Sequence, residues 1–168
     1  MNRKRNGFTL VELLIVVAII LIIAAIAIPN LIRSKMVANE ASAVASLRTI
    51  NTAEVAYNNT YPGTFAALSS LGPGGTATCG TPASGASCLI DNLLASAGTI
   101  ATAKSGYVFL VTPGPAGTGT YTSEASPATA QTGTRGFCSD QNLVLYYLTV
   151  GVPGVPDGSC SVASGKQL

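Results

Sequence analysis

From Leu13 to Ile28 every residue is Leu, Ile, Val or Ala. With Phe8 to Val11 in front, the run reaches the ~20 residues that a helix needs to cross a bilayer core. A helix of this kind cannot bury its first half inside its own domain, and at 168 residues the chain has material for one domain and one extended element. Arg3, Lys4 and Arg5 precede the run, so the positive-inside rule places its start on the cytoplasmic side and everything after Pro29 outside. Ala24-Ala25-Ile26-Ala27 offers the small residues of an ordinary secretory cleavage site. Against that reading, the apolar run passes into a polar helical pattern without a break in periodicity, which predicts that it is retained and extended.

Glu12 is the one acid in this stretch. A carboxylate at the centre of a membrane helix costs ~2.5–3.5 kcal/mol on insertion scales, and less near an end. Something should offset that cost. If the chain is cut between Gly7 and Phe8, the new α-amino group lies one helical turn from Glu12, and a neighbouring copy's amine can reach the carboxylate equally well. The plainer alternative is an acid snorkelling to the interface one turn away.

Composition narrows the chemistry. The chain is 48% hydrophobic and only 10% charged, with no Trp and no His. Lacking His, it has neither the commonest general base nor the commonest metal ligand, so Ser-His-Asp, Cys-His and HExxH chemistries are excluded. We expect no enzyme activity, no cofactor and no metal. After the leader, six basic residues face seven acids, 6 − 7 = −1, against +2 for the whole chain; no basic footprint for nucleic acid remains. Cys79, Cys88, Cys138 and Cys160 all follow the apolar segment, where export meets an oxidising compartment. Three pairings are possible. Short separation favours Cys79–Cys88 and Cys138–Cys160, each stabilising by roughly 2–4 kcal/mol through loop closure.

Gly7-Phe8-Thr9-Leu10-Val11-Glu12-Leu13-Leu14, preceded by Arg and Lys and followed by an apolar run, resembles the class III signal of type IV pilins and type II secretion pseudopilins. The resemblance implies that a prepilin peptidase cuts after Gly7 and methylates the new N-terminus at Phe8. It also implies that Glu12 aids assembly by pairing with the amine of an adjacent subunit. Pro29 falls at the family position where the helix bends or melts in the filament, in keeping with proline's missing N–H and ring clash. Leu21 stands where many pilins have Gly. The implied partners are other copies of the chain, the prepilin peptidase, an inner-membrane assembly platform, and the membrane itself before assembly.

Beyond Pro29, Met36, Ala43, Leu47, Ile50 and Tyr57 recur at helical spacing along one face, widened by Val37, Val44 and Val55, with Ser42, Ser46 and Thr49 opposite. The helix is expected from Phe8 to about Tyr57, roughly 75 Å at 1.5 Å per residue. Tyr61-Pro62-Gly63 ends it; Thr64 is placed to cap a short helix through Leu71, stopped by Gly72. Leu89–Ala97 reads as a second short helix. Tyr107–Val111, Thr118–Ser123 and Leu143–Val150 read as strands. The expected fold is α+β, a long N-terminal α-helix with a small antiparallel β-sheet head. It divides into a cleaved leader (1–7), a membrane and filament-core half of the helix (8–28), an amphipathic half (29–60) and a head (61–168). Gly151–Leu168 is expected to be a loop held by its disulfide, and the resemblance places an exposed loop between the last two cysteines.

Weaker signals are set aside. Asn58-Asn59-Thr60 is a glycosylation sequon of the kind that arises by chance. Gly72-Pro73-Gly74-Gly75 lacks the Lys of a phosphate loop. Asp140, Gln141 and Asn142 offer oxygens for calcium but read better as a turn. The expected function is the major subunit of a type IV pilus, held in the inner membrane before assembly and extracellular after it. The alternatives are a pseudopilin in a periplasmic pseudopilus and a monomeric membrane-anchored binding domain, the latter disfavoured by Glu12.

Overall fold

A computed structural model describes residues 8–75, 78–149, 156 and 166–168. Contacts divide the chain into one unit up to Lys35 and a second from Met36 onward. Helix α1, Leu10–Thr60, supplies the secondary structure of the described residues of the first unit and opens the second. In the first unit its most apolar 18 residues have a mean hydropathy of 3.3 and none is buried. Pro29 lies inside α1, which runs on through it.

In the second unit the buried face of α1 is formed by Ala43, Leu47, Ile50, Ala53 and Tyr57, as the periodicity predicts. Met36 is only half-buried and Val37 and Val55 stay exposed, so the apolar stripe is wider than the surface the head covers. Ser46, expected on the outer side, is buried and accepts a hydrogen bond from Lys104 Nζ at 2.8 Å. The helix ends where Tyr61 N–H closes on Tyr57 O, Pro62 follows, and Gly63 takes a left-handed φ of 78° that a residue with a Cβ adopts at a penalty.

The sheet is an antiparallel meander with five strands among the described residues: β1 Tyr107–Pro113, β2 Tyr121–Pro127, β3 Arg135–Asp140, β4 Leu145–Thr149 and β5 Lys166–Gln167. Its register puts Phe109 opposite Ala125, Ala125 opposite Phe137, and Phe137 opposite Tyr147. One face of the sheet thus presents Tyr107, Phe109, Val111, Tyr121, Ala125 and Phe137 to the core, the period-2 outcome expected of strands covered on that side.

Three sequence expectations are corrected. The strand expected over Thr118–Ser123 forms later, over Tyr121–Pro127, because Gly117 and Gly119, both at positive φ, keep the preceding residues in a turn. Strands β3 and β5 are not foreseen; β5, Lys166–Gln167, pairs with β4 inside the tail that the sequence leaves as a loop, because the backbone of two polar residues can close a sheet edge without any apolar signal. Arg135-Gly136-Phe137-Cys138-Ser139-Asp140 carries too few apolar residues to read as a strand, yet Gly136 to Ser139 are all buried. The short helices are one turn each: α2 is Leu68–Leu71 and α3 is Asn92–Ala95. Thr64 does not cap α2; its hydroxyl donates to Tyr61 O at 2.7 Å. Asp91 does cap α3, its carboxylate accepting from Leu94 N–H. The two turns approach closely at Gly72, where a Cβ would run into that of Ala95.

Candidate functional site

Residues 8–32 carry the chemistry that the sequence singles out. Side chains from Leu10 to Ile32 are largely exposed, with Leu10 at 77% and Leu31 at 69%, and Glu12 is the one charge among them. At ~25 cal/mol per Å² an apolar surface this extended is strongly unfavourable in water. It requires lipid or other apolar helices around it.

The start of α1 is built by two side chains. Thr9 N–H and Thr9 Oγ1 both donate to Glu12 Oε2, at 3.0 and 2.7 Å, and Glu12 N–H donates back to Thr9 Oγ1 at 3.2 Å. This is a reciprocal capping box, which satisfies N–H groups that a helix start otherwise leaves open. The pattern Thr-x-x-Glu is written in the sequence, but reading Glu12 only as a charge in lipid passes over it. Phe8 precedes the cap and is 81% exposed. Gly7 lies outside the described residues.

The head holds a second set of polar groups that periodicity did not reveal. Glu40 is buried and ion-paired to Arg135, whose Nε lies 2.9 Å and whose Nη2 lies 2.6 Å from Glu40 Oε2; Thr134 N–H and Oγ1 donate to Oε1. Burial alone would raise the Glu40 carboxyl, but these bonds and the Arg135 charge outweigh it and hold it below the ordinary value. Asn51 joins helix to sheet. Its Oδ1 accepts from Tyr121 Oη and Ser123 Oγ, both at 3.1 Å, and its Nδ2 donates to Ser139 Oγ at 2.8 Å. Glu54 is fully buried with Oε2 accepting Ala66 N–H at 3.0 Å and, among the described residues, Oε1 without a hydrogen-bond partner. Desolvation pushes its carboxyl up to about 7, against the pull of that N–H.

Cys79 and Cys88 are joined in a disulfide that closes the Gly-rich loop after α2. The same loop is tied to its base by Leu89 N–H on Leu71 O at 2.7 Å and by Tyr57 Oη on Ser84 O at 3.0 Å. Cys138 is buried on β3; Cys160 lies outside the described residues, and with it the expected Cys138–Cys160 pair and most of the loop from Gly151. The Asp140 carboxylate accepts from Asn142 N–H and Nδ2 at 3.0 and 2.9 Å, closing the turn into β4.

Residues 2–28 match the family model of the prokaryotic N-terminal methylation motif. The chain carries that motif. Its relatives fall into two groups. The Type IV wide pilus major component PilA4 of Thermus thermophilus is 47% identical over 73 residues, covering 42% of this chain and 56% of that protein. The Type IV major pilin protein PilA of Myxococcus xanthus is 46% identical over 56 residues, 33% of this chain and 26% of that one. The Type II secretion system core protein G of Aeromonas hydrophila is 36% identical over 73 residues, 42% and 51% respectively. The chain thus spans about half, or less, of the length of the curated relatives it matches. No solved structure matches the chain. The motif and these relatives bear out the pilin and pseudopilin resemblance, and the long helix with an antiparallel sheet fits the fold it implies.

Proposed function

We propose that the chain is a structural subunit, the major pilin of a type IV pilus. In this reading a prepilin peptidase cleaves after Gly7 and methylates Phe8, an inner-membrane platform extracts the subunit, and copies polymerise through residues 8–28 into an extracellular filament. The observation that carries it is the unburied apolar first part of α1 behind a methylation motif. Leaving lipid for a bundle of like helices gives little hydrophobic gain, so packing and the pairing of Glu12 with a neighbour's amine supply direction and register. Pro29, which lacks the N–H to close on Ala25 O, is the place where α1 can yield during that transfer.

The 36% identity to a type II secretion core protein supports a second reading, a pseudopilin in a short periplasmic pseudopilus. Both readings make the chain a polymer subunit rather than an enzyme. Shearing cells and comparing surface with envelope fractions separates them: a processed chain starting at Phe8 in sheared filaments is the pilin outcome, and the same chain confined to the envelope is the pseudopilin outcome.

A further inference from the structure

Two open troughs of about 610 and 370 Å³ run beside the outer side of α1 in the head, and they share Arg48 and Leu168. The larger is walled by Val55, Leu143 and Leu145, the smaller by Val37, Val44 and Phe137. Val55, Leu143 and Val37 are 43%, 48% and 61% exposed, while Leu145 and Phe137 are buried and Val44 is half-buried, so among the described residues the apolar rims of the troughs are uncovered over a buried floor. Arg48 stands where the troughs meet. No carboxylate is paired with its guanidinium among the described residues, whereas Arg135 in the smaller trough is held by Glu40.

An apolar occupant laid over this surface would bury the Arg48 charge and must bring an anion to it. One segment of this same chain has that composition: residues 8–32 are apolar, uncovered, and carry a single charge, Glu12. Both hydrogen bonds that Glu12 receives end on Oε2, which leaves Oε1 to accept from a guanidinium. We propose that this double trough is the seat of the N-terminal helix of a second copy, with Arg48 receiving its Glu12. All copies enter the membrane in one orientation, set by the basic leader, so the two helices run parallel. Pairing Glu12 with Arg48 then fixes the register of this pair of copies, a different pair from the one joined through the amine: Phe8 falls beside Val44 in the smaller trough, and Ile19 beside Val55 in the larger. The seat deepens the polymer-subunit reading and rests on it. It gives Glu12 a partner on the neighbour's head in addition to an amine, and it explains why the apolar stripe of α1 is wider than its own head covers.

The test uses the full chain in assembling cells. Ile19→Cys with Val55→Cys should give disulfide-linked dimers and ladders in sheared filaments on non-reducing gels, dependent on both cysteines. Ile19→Cys with Thr49→Cys, off the trough, should not. Arg48→Glu should lower filament yield by roughly thirtyfold or more while processing and membrane insertion persist, and Arg48→Lys should retain much of the yield. Filaments that form without the Ile19–Val55 link, equal linkage through Thr49, or a link confined within one chain would overturn the seat, the last by assigning the trough to the chain's own residues. Wild-type yield from Arg48→Glu would do the same. The cysteine pair leaves Arg48 intact, so it decides the matter even if that substitution disturbs the head. Absence of filaments from the unmodified chain would instead sink the pilus reading on which this test of the seat rests, and a processed chain confined to the envelope would point to the pseudopilin.

Discussion

Replacing Glu54 by Gln should remove most of the pH dependence of the head's stability between pH 5 and 8. In the folded head the carboxyl is fully buried, one oxygen has no hydrogen-bond partner among the described residues, and its pKa stands at about 7 against an ordinary 4.5. Between those values the folded state holds a proton that the unfolded chain has released, so stability falls as pH rises through the window. The difference of about 2.5 units corresponds to ~3 kcal/mol in total at ~1.4 kcal/mol per unit. No His is present, so no other side chain has its ordinary pKa in this range. For a head of this size the loss amounts to a melting-point decrease of roughly 10 °C from pH 5 to pH 8. The assay is thermal unfolding of the full chain in detergent micelles, followed by near-ultraviolet dichroism of its tyrosines across that range. The parent should lose stability as pH rises, and Glu54→Gln should stay level and exceed the parent at pH 8. A parent whose stability rises over the window, or a variant that keeps the parent's slope, would show that Glu54 does not hold a proton in the folded head.

Arg135→Ala leaves Glu40 buried without its cation and should destabilise the head by about 3 kcal/mol, with Arg135→Ala/Glu40→Gln recovering part of it in a double-mutant cycle. Leu47→Ala, at a fully buried position facing the sheet, should cost ~2–5 kcal/mol by denaturant unfolding, whereas Val37→Ala on the exposed side should stay within about 0.5 kcal/mol. Glu12→Ala should leave cleavage and insertion intact and abolish or derange filaments by electron microscopy; normal filaments would remove the role assigned to the carboxylate.

The two helical halves were legible because each has a strong periodic or compositional signature, unbroken aliphatics before Pro29 and a recurring face from Ala43 to Tyr57. Strands β1 and β4 were legible as apolar runs. β3 was hidden because its partners on both sides supply the burial that its own sequence does not advertise: Gly136 and Ser139 are inside only through their place in the meander. The polar interior was hidden for a related reason. Glu40, Asn51 and Glu54 lie on the helical face of Ala43, Leu47 and Ile50, where a pattern of apolar residues reads them as interruptions. Their burial depends on Arg135, Ser139 and Ala66, from 12 to 95 residues away. The capping box shows the converse case, a purely local arrangement that the sequence already spelled out.

In the proposed assembly, residues 8–28 pass from membrane anchor to polymer core after a cut at Gly7. Intact mass and N-terminal sequencing of the chain in sheared filaments test it most directly. A single species beginning at N-methylated Phe8 is expected. A chain beginning at Met1 or after Ala27 would contradict it.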